Sequence, residues 1–280
     1  MTKYLVTGAS GQLGRKVVAE LAKSVPAADI AVMARSEAAL NEFKEQGFDA
    51  RYGDYDKPET MFEAFEGVDR LLLISGSEVG KRSEQHLHAI NAAKQAGVKF
   101  IAYTSILQAN KSPMGLAVEH LATEKNLEES GIPYALLRNG WYLENITATL
   151  DQDLSMGKHF GAAGEGKFAA ASRQDFAEAA VAVLTGAGHE GHIYELAGDE
   201  GFTLADYAAA VTEAKGTEVT YIDMPEEDFK AALLGAGLPE GLAAMLADSD
   251  AKAADGWLFD DSKTLSSLIG RPTTKLAEML

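Results

Sequence analysis

The chain has 280 residues, 46% of them hydrophobic and 24% charged, which fits one large α/β domain, or a domain with a smaller lobe, with enough core to fold without covalent staples. It contains no cysteine, so disulfides, thiolate metal sites and thiol nucleophiles are excluded. With 42 acidic against 25 basic residues the net charge is −17, a surface that repels nucleic acid but still allows a small basic pocket for one anionic ligand.

In chain order, Lys3 to Thr7 is predicted to be a buried strand stopped by Gly8. Residues Met1 onward run straight into it, without a charged leader and apolar stretch, so no secretory signal is expected. No run of about 18 apolar residues follows, so no membrane span is expected and the cytoplasm is the default compartment. Gly11 to Ser24 is predicted helical, with Leu13, Val17, Val18 and Leu21 on one face. Strands are predicted over Asp29 to Ala34, Phe48 to Tyr52, Asp69 to Ile74, Val98 to Thr104 and Pro133 to Leu137. The helices between them run over Glu37 to Gln46, Pro58 to Glu66, Lys81 to Ala96 and Gly115 to Ser130, and Gly47, Gly67, Gly97 and Gly131 close them. Apolar strands alternating with helices imply a parallel sheet covered on both faces, and right-handed crossovers make it doubly wound.

Beyond Arg138 the pattern loosens. Asn145 to Met156 reads as a helix and the glycine-rich Gly157 to Gly166 as a loop. Arg173 to Leu184 reads as a helix, and His192 to Leu196 as a strand returning to the sheet. Thr203 to Lys215 is a helix with Thr203 as N-cap and Asp206 behind it, Val219 to Ile222 is a strand, and short helices with a turn at Gly235 to Gly241 complete the chain. The expected architecture is an α/β, Rossmann-type, doubly wound parallel sheet with a smaller, mostly helical C-terminal lobe. Residues 1–150, with 168–198 returning to the sheet, form the nucleotide domain; 151–167 and 199–280 form the substrate-side lobe.

Gly8-Ala9-Ser10-Gly11-Gln12-Leu13-Gly14 is a GxxGxxG loop between the first strand and first helix. Gly8 permits the tight turn, Gly11 the approach of a pyrophosphate, and Gly14 close helix packing, while the helix N-terminus offers free N–H groups to phosphates. At the end of the second strand, about 20 residues past Gly14, an NAD-selective site carries an acid. Arg35 stands there instead and can pair with a 2′-phosphate, so NADPH is expected, with NADH as the alternative. Ser75, Gly76 and Ser77 end the fourth strand and Thr104 and Ser105 the fifth; short residues there allow a cofactor close, and equally suit ordinary turns. Asp54 suits either the adenine side or an Asx-turn. Six histidines show no metal-ligand spacing, and neither a GxSxG elbow nor a P-loop is present.

The glycine loop, Arg35, Ile74 to Gly80 (ISGSEVG), Gly97 to Ser105 (GVKFIAYTS), Leu136 to Asn145 (LLRNGWYLEN), Ala187 to Asp199 and Leu258 to Thr274 together resemble the NmrA-like, atypical branch of the short-chain dehydrogenase/reductases. Within that branch the chain is most similar to the bacterial NAD(P)H:quinone reductases, with triphenylmethane dye reductases as near relatives. The resemblance implies a cofactor set of Gly8, Ser10, Gly11, Gln12, Leu13, Arg35, Ser75, Gly76, Ser77, Asn139, Gly140 and Trp141, and a substrate cleft bordered by Trp141, Tyr142 and Asn145. It implies hydride transfer to a quinone or similar planar acceptor, with no flavin and no metal. The Tyr-x-x-x-Lys of better-known relatives is missing from Gly115 to Ser130. Where the lysine belongs, four residues before Glu124, stands His120, a weak candidate that suits core packing at least as well. Quinone reduction tolerates this loss, because a hydroquinone oxygen is acidic enough to take its proton from water. A redox sensor that binds NADP without turnover and a dye or azo reductase are the alternatives. A homo-oligomer is compatible with the sequence but not readable from it.

Overall fold

The computed structural model describes residues 2–280. Its strands and helices begin β1 (Tyr4–Val6), α1 (Gln12–Leu21), β2 (Ile30–Ala34), α2 (Glu37–Glu45), β3 (Asp49–Tyr52), α3 (Pro58–Ala64), β4 (Arg70–Leu73), α4 (Arg82–Ala96), β5 (Phe100–Ile106), α5 (Gly115–Ser130) and β6 (Tyr134–Asn139). This alternation follows the sequence reading closely because each signal is local. Ser36 caps α2 by accepting the Ala39 N–H at 3.2 Å. Pro58 sits in the first turn of α3, and Gly97 ends α4 with φ 74°.

Seven strands form one sheet in the order β3-β2-β1-β4-β5-β6-β8, where β8 is Ile193–Leu196. The pairs β1–β2, β1–β4, β2–β3 and β4–β5 are parallel. The chain leaves β1 for β2 and β3, then returns to lay β4 on the other side of β1. The strand order therefore reverses between β1 and β4, the place where an open α/β sheet leaves a crevice beyond its strand ends. Leu5, Leu71, Ile101 and Tyr103 are fully buried in the core beside Met61, Phe65 and Ile90, so the central strands are largely apolar rather than alternating, while the edge strand β3 carries Asp49 and Arg51 and is only partly buried.

After β6 come α6 (Leu143–Ile146), α7 (Leu150–Met156), β7 (Lys158–Gly161), α8 (Arg173–Thr185), β8, α9 (Leu204–Lys215), β9 (Thr220–Asp223), α10 (Glu226–Gly235), α11 (Glu240–Ala254) and α12 (Thr264–Ile269). Two sequence readings are corrected here. The single helix expected over Asn145 to Met156 is broken, with a 3₁₀ turn at Thr147–Thr149 between α6 and α7. The loop expected over Gly157 to Gly166 contains a strand: β7 pairs in parallel with β9, from Lys158 opposite Thr220 to Gly161 opposite Asp223. The glycines in and around it hid it. Gly161 is glycine because a Cβ there would lie 2.7 Å from Leu204 Cδ1 and 2.8 Å from Asp250 Oδ2. Thr203 caps α9 in a reciprocal box with Asp206, as the sequence signalled.

The chain divides into two compact units. The first comprises residues up to Ile106 with Val118–Arg138 and Phe176–Tyr194; the second comprises Leu107–Ala117, Asn139–Asp175 and Glu195–Leu280. Residues 107–117, 139–150, 168–175 and 195–198, read from sequence as part of the nucleotide domain, group by contacts with the second unit.

Candidate functional site

In the first unit the glycine loop has the geometry a dinucleotide needs. Gly8 has φ 58°, in the left-handed region that L side chains rarely adopt. Its carbonyl accepts the Gly11 N–H at 3.0 Å, tightening the turn. A Cβ on Gly14 would fall 2.2 Å from the Gly8 oxygen and 2.7 Å from Ala9 Cα, so only glycine lets α1 start this close to the strand end. Ser10, Gly11 and Gln12 are exposed and Leu13 is buried. No acid occupies the first turn of α1, which leaves its N-terminal N–H groups and partial positive charge for an anion. A cradle that a Cβ would fill, opening on an acid-free helix start, fits a pyrophosphate.

The neighbouring strand ends converge on this loop. Thr7 Oγ1 donates to the Leu72 carbonyl at 3.1 Å and accepts the Ile74 N–H at 3.0 Å and the Tyr55 hydroxyl at 2.7 Å, locking β1 to β4. Arg35, at the end of β2, is exposed, and its Nη1 lies 3.2 Å from Glu78 Oε1. Glu78 also holds Lys81 at 3.0 Å, and the Lys81 ammonium, with Arg35 beside it, keeps the Glu78 carboxyl below its ordinary range. Ser75 N–H donates to Thr104 Oγ1 at 2.9 Å. Gly76 N–H donates to His86 Nε2 at 3.0 Å, and Arg82 Nε reaches the Gly76 carbonyl. Ser77 is exposed. Asp54 Oδ1 accepts the Asp56 N–H at 3.2 Å, which is Asx-turn geometry.

His86 and His120 are buried behind these loops. His86 accepts at Nε2, so its Nδ1 carries the proton toward Thr123 Oγ1 at 2.9 Å, and the ring is neutral. Burial, with Arg82 adding to it, pushes its pKa down to about 3. His120 Nδ1 lies 2.8 Å from the Tyr103 hydroxyl, and burial, then Arg82 and His86, push it likewise to about 3. His120 thus has a satisfied partner inside the core, the environment of a packing residue. Next to it, Glu124 forms a buried cluster that sequence reasoning did not identify. Arg138 grips both its oxygens, Nε to Oε1 at 2.9 Å and Nη2 to Oε2 at 2.7 Å, and Ser105 Oγ donates to Oε1 at 2.6 Å. The available signal was Arg138 itself, a cation inside the apolar run LLRN.

In the second unit, Asn139 is buried and its Oδ1 has no hydrogen-bond partner among the described residues. An orphaned buried acceptor is costly unless a ligand satisfies it. Gly140 sits against backbone: its N–H donates to Leu196 O at 2.7 Å, and a Cβ would lie 3.0 Å from that oxygen. Trp141 is buried, and Tyr142 lies under the Arg173 guanidinium at 4.5 Å from the ring centre. Arg173 Nη2 also donates to Asn145 Oδ1 at 2.6 Å. Trp141 and Asn145 border a cavity of about 280 Å³ wholly inside this unit. Among the described residues no group of three or more His, Asp or Glu is placed to hold a metal ion, and no helix is long and apolar enough to cross a membrane.

A sheet that reverses its order beside a Gly8–Gly14 cradle defines a nicotinamide-dinucleotide-binding protein. The family described as NAD(P)H-binding matches residues 8–187, and the chain belongs to this NAD(P)H-binding, NmrA-like family. It is 56% identical to quinone oxidoreductase 2 of Escherichia coli over 98% of this chain and 96% of that protein. The crystal structure of that NADPH-dependent quinone oxidoreductase in complex with NADPH covers 99% of this chain and 98% of its own, with 55% identity and a TM-score of 0.96. A triphenylmethane reductase from Citrobacter is 36% identical, covering 99% of this chain and 97% of its own, with a TM-score of 0.93.

Proposed function

We propose that this protein is an NADPH-dependent reductase that transfers a hydride to a quinone or a similar planar, electron-poor acceptor. The observation that carries the reading is the 56% identity, along nearly the whole of both chains, to a quinone oxidoreductase, joined to a glycine cradle intact in every required position. Bound NADPH supplies the hydride, and the protein supplies position and electrostatics.

The chain's own residues have distinct tasks. Gly8 and Gly11 shape the turn that admits the pyrophosphate, and Ser10, Gln12 and Leu13 present backbone N–H groups to it. Arg35 takes the 2′-phosphate by exchanging its exposed pairing with Glu78 for a more highly charged partner. Ser75, Gly76 and Ser77 border the cofactor on a loop that His86 and Thr104 hold in place. Asn139 offers its orphaned Oδ1 to an amide N–H of the nicotinamide end, with Gly140 and Trp141 beside it. Trp141, Tyr142 and Asn145 form the flat wall for the acceptor. His120 is tied to Tyr103 and stays neutral, so water protonates the product oxygen. The reaction in this reading needs neither flavin nor metal.

The test is turnover across an acceptor panel. Purified protein is given NADPH with benzoquinones, naphthoquinones and triphenylmethane or azo dyes. Rapid oxidation with quinones is expected. Tight NADPH binding with no turnover on any acceptor would replace the enzyme with a sensor.

A further inference from the structure

In the first unit, beyond the ends of β2 and β4, two cations from different loops share one carboxylate. Arg35 Nη1 lies 3.2 Å from Glu78 Oε1, and Lys81 Nζ lies 3.0 Å from Glu78 Oε2. Arg35 follows β2, and Lys81 immediately precedes α4. Together they present two positive groups to two oxygens of one anion, an arrangement that suits a phosphate as well as a carboxylate. On a molecule of net charge −17 this pair is a local exception to the surrounding field.

The members of the cluster differ in freedom. Lys81 stands on backbone pinned from both sides: the Gly80 and Arg82 N–H groups donate to Glu119 Oε1, each at 3.0 Å, and Arg82 Nε reaches the Gly76 carbonyl. Glu78 lies in the stretch between Gly76 and Gly80, and among the described residues its carboxylate bonds only to Arg35 and Lys81. A carboxylate held only by exposed cations turns into water at little cost, while Lys81 stays where its backbone is fixed. Asp56 is the second acid beside Lys81, its Oδ2 at 3.8 Å, and its Oδ1 accepts from Gln85 Nε2 at 2.9 Å. Lys81 therefore keeps a partial counter-charge when Glu78 leaves, and its share in binding an anion is smaller than that of Arg35.

We infer that Lys81 is a second specificity-determining cation for the 2′-phosphate of NADPH and that Glu78 is the internal competitor, holding the Arg35–Lys81 seat until the phosphate replaces it. The inference rests on the reading of Arg35 as the 2′-phosphate residue. A phosphate monoester carries about −1.5 to −2 charges at pH 7, more than a carboxylate, so it draws both cations away from Glu78. The corresponding ribose hydroxyl of NADH is neutral and leaves the pairing in place. Preference for NADPH is then the difference between two anions competing for the same two cations, and is not a property of Arg35 alone.

Calorimetric titration of the full chain with NADPH and with NADH, with no acceptor present, tests it through the ratio of the two affinities. Lys81→Met is expected to weaken NADPH about three- to tenfold and to leave NADH nearly unchanged, and Lys81→Arg to restore the ratio. Glu78→Gln acts in the opposite direction and should tighten NADPH about threefold with little change for NADH. A lysine that merely held the loop in shape would shift both cofactors together. An unchanged ratio in Lys81→Met, or no tightening of NADPH in Glu78→Gln, would overturn the inference. Arg35→Met, titrated in parallel, separates it from the reading on which it rests. A ratio lowered by Arg35→Met but not by Lys81→Met sinks the inference alone; a ratio unchanged in both variants sinks the 2′-phosphate assignment with it. Quinone turnover, measured separately, bears on the reductase and not on this ratio.

Discussion

The two units leave different polar groups open around their candidate sites. In the first, the groups around the strand ends are closed on one another: Glu124 is saturated by Arg138 and Ser105, His86 by Gly76 and Thr123, and Thr7 by Tyr55, Leu72 and Ile74. Its buried side-chain atoms without a hydrogen bond belong to Arg70, whose guanidinium lies 4.4 Å from the Phe100 ring centre, and to the Arg82–Glu119 ion pair at 3.9 Å; what the glycine loop leaves open is backbone, the N–H groups at the start of α1. In the second, a buried side-chain atom remains open, Asn139 Oδ1. In the proposed function the pyrophosphate of the cofactor is met by main chain on a rigid frame, and the discrimination of one small molecule from another is left to side chains.

Four changes would break or sharpen this contrast. The largest effect is expected from Arg138→Leu, which leaves the Glu124 carboxylate buried without its cation; a loss of about 3–5 kcal/mol is expected, read from urea unfolding. A loss under about 1 kcal/mol would mean that the closed network does not hold the first unit together. Next is Gly14→Val. Its new side chain meets the backbone of Gly8 and Ala9, so overpacking should cost about 1–3 kcal/mol and NADPH binding should be lost. Unchanged affinity in a titration would remove the cradle from the site.

Arg35→Asp comes third. It should weaken NADPH roughly 10- to 100-fold while barely affecting NADH. An equal effect on both cofactors would take Arg35 away from the 2′-phosphate.

The smallest effect concerns the buried histidines. His86 and His120 are held near pKa 3, against 6.5 for the unfolded chain. Between those values the unfolded state binds more protons, so stability is fully present above about pH 6.5 and falls as the pH drops toward 3. His120→Gln should flatten that slope in denaturant titrations at several pH values and leave quinone turnover nearly unchanged. A rate lower by orders of magnitude at unaltered cofactor affinity would make His120 catalytic.

Legibility in the sequence followed the same division. The βα alternation, the helix ends at Ser36, Pro58 and Gly97, and the cradle at Gly8–Gly14 are local patterns of glycine, proline and apolar spacing, and they matched the structure within three residues. Strand β7 was hidden because its partner β9 lies far along the chain and its Gly161 serves close packing with Leu204 and Asp250, not a loop. The Asp153–His159–Tyr207 cluster and the grip of Arg138 on Glu124 were equally hidden. Each joins residues with no sequence signature, brought together only by tertiary packing.

The most direct test of the central claim is NADPH oxidation by purified protein shown to contain no flavin, with and without a small benzoquinone, followed by the loss of reduced-nicotinamide absorbance. Oxidation that depends on the quinone and consumes one NADPH per hydroquinone formed is the predicted result. NADPH that binds but stays reduced, or oxidation that appears only once flavin is added, would contradict it.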